Sequence, residues 1–375
     1  MATSSSSKVS RPGHWIVSEF GGPSVLKWEQ FSSLPVPTPS TARVRILICG
    51  ISGADNNMRA GGYTRNPLAA RPGFTPGFEI VGVIEEFGRG TEDRHGFEVG
   101  DVVASLCVVG GYGTHTIVPL DEMLKLRKDD DLVAAAALPL NYMTAYGMLK
   151  KSAFPVDEKT ESVLVGSVAG GVGTAVVQLI RLLYPNVTTI IGTASPGKFA
   201  FLESLGVRPV DRNIPPEQLP GAVKAVNGGR GVDIAYEMIG SPTSMDAFLS
   251  ATKEGTGRMI AIGFLGNIKS DGTGLEAKVF DPLKYCADRP DRTSFFSVTN
   301  HYWKGQRAVF KNDFENELLR LVRSNSLAPI VSKLWRLEDA VAINEMLTTG
   351  AGIMGKHEMV VDEGVWEQYS ATRSE

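Results

Sequence analysis

Cysteine is scarce in this chain. Only Cys49, Cys107 and Cys286 occur in 375 residues, and no two of them form a C-x-x-C pair. That spacing excludes a disulfide framework and a structural zinc knot, and it favours a reducing, cytoplasmic setting. Long apolar runs are also missing. None reaches the roughly 18–20 residues a bilayer span requires, so no membrane partner is expected. The opening stretch "MATSSSSKVSRPG" lacks an apolar segment and does not read as a secretory signal; residues 1–13 are expected as a short disordered tail. Charge is nearly balanced, at a formal −3, which gives no electrostatic reason to expect nucleic acid as a partner. The five histidines (His14, His95, His115, His301 and His357) are scattered without the i,i+4 spacing of a metal-binding helix. No G-x-S-x-G elbow occurs, so a serine hydrolase has no support.

What is present is the composition of a globular protein, 43% hydrophobic and 21% charged, on a chain long enough for two cores. The first 135 or so residues read as short strands separated by turns: "ARVRILICGI", "FEIVGVIEEFG" and "GDVVASLCVV". Near "DDDLVAAAALPLNYMTAYGML" the spacing becomes helical, around Pro139. Strands then alternate with helices: "ESVLVGS", "TAVVQLIRLLY", "VTTIIGT", "KFAFLESLG", "VDIAYEMI", "GRMIAIGF" and "TSFFSV". This predicts an α/β protein with a doubly wound parallel sheet beside a β-rich domain. "NDFENELLRLVRSN" and "LEDAVAINEMLTTG" read as amphipathic helices, and "GKHEMVV" as a last strand returning to the first domain. The expected division is 14–135 for the β-rich catalytic domain, 136–318 for the dinucleotide-binding domain, and 319–375 for the return.

The strongest chemical signal is "VLVGSVAGGVGTAVVQLI". An apolar strand runs into Gly170, Gly171, Val172 and Gly173, and a helix starts at once. Such a turn brings backbone N–H groups close to a pyrophosphate at a helix N-terminus. An NAD site carries an acid roughly 20 residues further on, to accept from the ribose 2′-hydroxyl. Here that window, "IIGTASPGK", has none and offers Thr193, Ser195 and Lys198 instead. These can donate to a 2′-phosphate, so NADPH is the expected cofactor. The other reading of Lys198, as the start of an exposed helix, stays open.

Two further segments look like halves of a catalytic zinc site. "CGISGAD" and "TPGFEIVG" would offer a thiolate and an imidazole if Ser52 were cysteine and Phe78 histidine. A neutral hydroxyl and a phenyl ring are not competent zinc ligands. Glu79 alone does not make a site.

Taken in order, "SGADNNMRAGGY", "TPGFEIVGVIEEFG", "VGDVV", "GGYGTHTIV", "LPLNYMTAYGML", "AGGVGTAVVQL" and "GKHEMVV" resemble the medium-chain dehydrogenase/reductase superfamily, in its zinc-free quinone oxidoreductase branch. The resemblance runs roughly from Trp15 to Val361. It implies a GroES-like domain, built from both chain ends, around a Rossmann domain, in a homodimer. It implies reduction of a quinone, or of the C=C bond of an enone, enal or enoyl thioester, by NADPH without zinc. Tyr63 matches a tyrosine proposed as proton donor in enoyl reductases of the superfamily; packing over the cleft is the other reading. By the same match Ser52 and Asp55 should lie on the cleft wall, though the family often has asparagine at Ser52. Asn141 and Thr144 match the segment touching nicotinamide and ribose, with Thr144 also suited to packing its helix. Gly240, and Ile262 with Gly263, match strand ends flanking the cofactor. Lys356 matches the closing G-K. "PDRTSFFSVTNHYW" reads as a dimer-edge strand and part of the substrate wall, or as a plain core strand. Some zinc-free relatives are crystallins or vesicle proteins, so NADPH binding with little turnover is the alternative function.

Overall fold

The computed structural model describes residues 11–63, 66–350 and 352–370, so most of the expected N-terminal tail lies outside the described residues. Six parallel strands form one sheet. Its order is Arg208–Asp211, Thr189–Ala194, Ser162–Val165, Ile234–Glu237, Arg258–Ala261 and Thr293–Phe295. The strand order reverses beside Ser162–Val165, the crevice where doubly wound sheets bind dinucleotides. Ser162–Val165 and Ile234–Glu237 are buried at every residue. Helices cover both faces of such a sheet, which explains unbroken apolar runs in place of alternation.

The second sheet has Thr41–Ile51 at its centre. This strand alternates while one face meets solvent, then is buried from Ile46 to Ile51 as it runs under the neighbouring domain. Along one edge it pairs first with His115–Pro119 and then with Lys356–Val360; Ile80–Phe87 pairs along the other. The C-terminal strand Lys356–Val360 thus sits between Thr41–Ile51 and Val331–Arg336. A hairpin of Gly13–Val17 and Leu26–Gln30 packs nearby.

Among the described residues, six strands have no counterpart among those expected from the sequence: Gly13–Val17, Leu26–Gln30, His115–Pro119, Leu124–Lys125, Arg208–Asp211 and Val331–Arg336. Arg208–Asp211 is a sheet edge, mostly accessible and carrying Pro209, which suits an edge because it cannot donate to a ladder. Val331–Arg336 is partly exposed throughout, so it shows no apolar run. Around Pro139 the helical spacing resolves into Leu132–Ala136, a wide turn over Leu138–Tyr142, and Met143–Lys150. Proline has no N–H for the helical ladder, and the backbone widens there to accommodate it.

Candidate active site

A cavity of about 590 Å³ lies between the two sheets. Its Rossmann side is the turn after Ser162–Val165. Gly170 caps the helix Gly171–Leu183. A Cβ at Gly173 would fall 2.5 Å from the Val168 backbone, and one at Gly171 would meet Asn141 Nδ2 at 1.9 Å. Glycine is therefore required at 173, where the obstacle is backbone, whereas a side chain at 171 would have to displace the Asn141 amide; Gly170 to Gly173 all line the cavity. The turn is braced from behind: Ser167 N–H donates to Thr193 Oγ1 at 3.2 Å, and Gly355 N–H to Ala169 O at 2.7 Å. A dinucleotide's diphosphate fits this cradle.

At the end of the second strand, Thr193, Ser195 and Lys198 all line the cavity. Thr193 is buried and already accepts from Ser167, so it supports the turn. Lys198 Nζ donates to Gly350 O at 3.1 Å, across to the C-terminal cap of the helix Ala340–Thr349. Burial, and then the neighbouring Arg212 guanidinium, lower the Lys198 pKa. Arg212 also lines the cavity, at the end of the edge strand missing from the sequence reading.

At the opposite end, Ser52, Tyr63, Phe78, Leu140, Asn141 and Thr144 line the wall, with Ile262 and Gly263 flanking it. Gly170, Gly171, Val172 and Gly173 complete the expected residues found there. Two of the expected residues do not line the cavity. Asp55 is fully buried behind the wall: its carboxylate accepts from Ser52 N–H at 2.8 Å, Ser52 O–H at 3.0 Å and Gly77 N–H at 3.1 Å. Ser52-x-x-Asp55 is a capping box that starts the helix Gly53–Arg59, a signal legible in the sequence as such. Burial pushes the Asp55 carboxyl up to about 6, against the pull of the Ser52 hydrogen bonds. Gly240 stands in a turn at φ 71°, where a Cβ would fall 2.0 Å from Gly263 O. Its N–H donates to the buried Glu237 carboxylate, so it shapes the strand end without lining it.

The positions that raised the question of zinc are now defined. Phe78 is buried, and its ring meets Tyr63 edge-on with centroids 5.7 Å apart. Glu79 turns away from the cavity and forms a buried ion pair with Lys356. Its other oxygen accepts from Leu140 N–H at 2.7 Å, while Lys356 Nζ also donates to Ile51 O at 3.0 Å. The remaining carboxylate is thus already neutralised by an ammonium 277 positions away in the chain, a partnership no local spacing announces. Tyr63 faces the cavity, and burial first, then the Asp55 charge, raises its phenol well above the ordinary tyrosine range. Among the described residues no helix is long and apolar enough to cross a membrane.

Residues 38–128 match the alcohol dehydrogenase GroES-like domain family, and residues 171–286 the zinc-binding dehydrogenase family. The chain is 28% identical to human quinone oxidoreductase over 341 residues, covering 91% of this chain and 95% of that one. A structure of a mycobacterial protein complexed with NADPH superposes with TM-score 0.75 at 25% identity, covering 93% of this chain and 99% of the other. The structure of human synaptic vesicle membrane protein VAT-1 homolog-like protein superposes with TM-score 0.73 at 26% identity, covering 94% and 99%. A GroES-like half, a dinucleotide-binding half and this end-to-end likeness lead to one assignment: the chain belongs to the medium-chain dehydrogenase/reductase superfamily, in its quinone oxidoreductase-like branch, and is an oxidoreductase.

Proposed function

We propose that this protein is an NADPH-dependent reductase of conjugated substrates, either a quinone or the C=C bond of an enone, enal or enoyl thioester, and that it works without zinc. The observation that carries this reading is the cavity itself. One continuous space joins a glycine cradle and a Lys198–Arg212 cation pair to an aromatic end where Ser52 and Phe78 stand in place of metal ligands. NADPH, when bound, supplies a hydride to the electron-poor carbon of the substrate.

The protein's part is to bind, orient and protonate. Without a Lewis acid, a simple ketone would develop an alkoxide with little to stabilise it, whereas conjugation spreads the same charge over the substrate. Phe78, Leu140, Phe264, Phe295 and Phe296 make the reacting end apolar, which suits a flat neutral substrate and excludes water. Ser52 directs its O–H to Asp55, so it offers the cavity an acceptor. Tyr63 keeps its proton at neutral pH and is the donor we assign: the phenol O–H bond breaks as the new C–H or O–H bond forms, and solvent returns the proton to the phenolate.

The test is purified protein mixed with NADPH or NADH and a panel of quinones, enals, enoyl thioesters and simple ketones, followed at the reduced-nicotinamide absorbance. Turnover of conjugated acceptors with NADPH, and none of simple ketones, supports the reading. Ketone reduction at comparable rates would sink it. Tight NADPH binding with no turnover of any acceptor would favour a binding role.

A further inference from the structure

Behind the catalytic-domain wall of the cavity sits a guanidinium without an acid. Arg59 is fully buried and ends the helix Gly53–Arg59. Its four partners are all neutral. It donates to Gly21 O, Asn56 Oδ1, Asn344 Oδ1 at 3.3 Å and Thr348 Oγ1 at 3.3 Å. No carboxylate is among the acceptors of its hydrogen bonds; burial pulls its pKa down, against the smaller effect of Tyr112. A buried charge with neutral partners is costly unless an anion completes it.

Two of those partners, Asn56 and Thr348, line the cavity, while Arg59 itself does not. Asn56 Oδ1 accepts from the guanidinium, while the Thr348 hydroxyl, 3.3 Å from the same atom, has its nearer acceptor in Asn344 O at 2.9 Å. A guanidinium can only donate, which fixes the end of the amide beside it as the oxygen. The amide nitrogen of Asn56 is then the end left for the cavity, and it is polarised by the cation behind it. Phosphate oxygens suit such a donor, because a hydrogen bond with a charged member is roughly twice as strong as a neutral one.

We propose that Asn56, backed by Arg59 and with Thr348 as the guanidinium's cavity-side acceptor, binds the diphosphate of the nicotinamide dinucleotide from the catalytic-domain side of the cavity. This rests on the functional reading above insofar as the ligand is a dinucleotide, but it does not depend on the 2′-phosphate. The cradle Gly170–Gly173 then supplies neutral backbone donors from one side. Arg59 supplies the countercharge from the other, as a positioning residue acting through Asn56.

Asn56→Asp separates this role from a structural one. A carboxylate there gives Arg59 the acid it lacks, so the fold is kept, but it repels a diphosphate. Affinities for NADPH, ADP-ribose and adenosine 2′-monophosphate are measured by titration calorimetry, with thermal unfolding of each variant beside them. The expected result is an unchanged or raised midpoint, NADPH and ADP-ribose bound at least about tenfold more weakly, and adenosine 2′-monophosphate unchanged. Thr348→Val should shift the same two ligands in the same direction by a smaller factor. Folded Asn56→Asp that binds ADP-ribose as the wild type does would overturn the proposal, as would equal losses for all three ligands. Wild type that prefers NADH but binds ADP-ribose would end the 2′-phosphate reading and leave this one standing. Wild type that binds none of them would end both.

Discussion

Lys356→Met should destabilise the catalytic domain far more than a lost surface charge would. Lys356 and Glu79 are 1% and 0% exposed, so neither has solvent to fall back on. Removing the ammonium leaves the Glu79 carboxylate with one remaining donor, Leu140 N–H. Breaking a buried pair from one side costs about 3–5 kcal/mol. Glu79→Gln in the same background removes the orphaned charge, so the double variant should recover about 2 kcal/mol or more relative to the sum of the single variants. The pH dependence follows from the direction of the Glu79 shift, raised by burial and restrained by Lys356. Without Lys356 the folded-state pKa rises further above the unfolded one. The protonated carboxyl needs no partner, so the deficit of Lys356→Met is smallest below about pH 4, where the unfolded chain is also protonated. It grows as the pH rises toward 7, because the unfolded chain ionises more readily than the folded one. Urea unfolding between pH 4.5 and 7.5 reads the total. Hydrogen exchange in Thr41–Ile51 and Lys356–Val360 reads it locally. A deficit that is flat with pH, or single effects that simply add, would refute the reasoning.

Tyr63→Phe should lower kcat by roughly 10²–10⁴-fold on enals or enoyl thioesters and much less on quinones, whose reduced form takes its proton readily from water. Wild-type rates on every conjugated substrate would make water the donor and Tyr63 a packing residue. Lys198→Ala should weaken NADPH binding by about 1–3 kcal/mol and leave NADH binding nearly unchanged; equal affinities of the wild type for the two cofactors would remove the basis for this. Elemental analysis should find no stoichiometric zinc, and activity should persist in a strong chelator, because Ser52, Phe78 and an already paired Glu79 leave no ligand set; one tightly held zinc per chain would contradict it.

Features that local chemistry dictates were legible in the sequence. The cradle could be read because a strand, Gly170 to Gly173 and an amphipathic helix follow one another without interruption, and the absence of an acid after Thr189–Ala194 is a local fact. Asp55 stands behind the wall for an instructive reason: the same four residues that suit a cleft also suit a helix cap, and the cap occupies one carboxylate oxygen while Gly77 N–H occupies the other. Arg59 and Lys356 were illegible in their roles because each depends on partners more than 250 positions away, Asn344 and Thr348 for one and Glu79 for the other. Edge strands such as Arg208–Asp211 escape pattern reading because partial exposure removes the apolar run that marks a buried strand.

The place of Lys356–Val360 in the middle of the catalytic sheet has a consequence for biosynthesis. The six-stranded sheet is drawn from one uninterrupted stretch of chain, so it can close as soon as that stretch leaves the ribosome. The half made first cannot. Thr41–Ile51 waits for an edge partner that is translated some 300 residues later, and its backbone edge from Ile48 to Ile51 stays unpaired until that partner arrives. Order of synthesis and order of assembly are therefore reversed between the two domains, and the segment that most needs protection from aggregation is the one that emerges early.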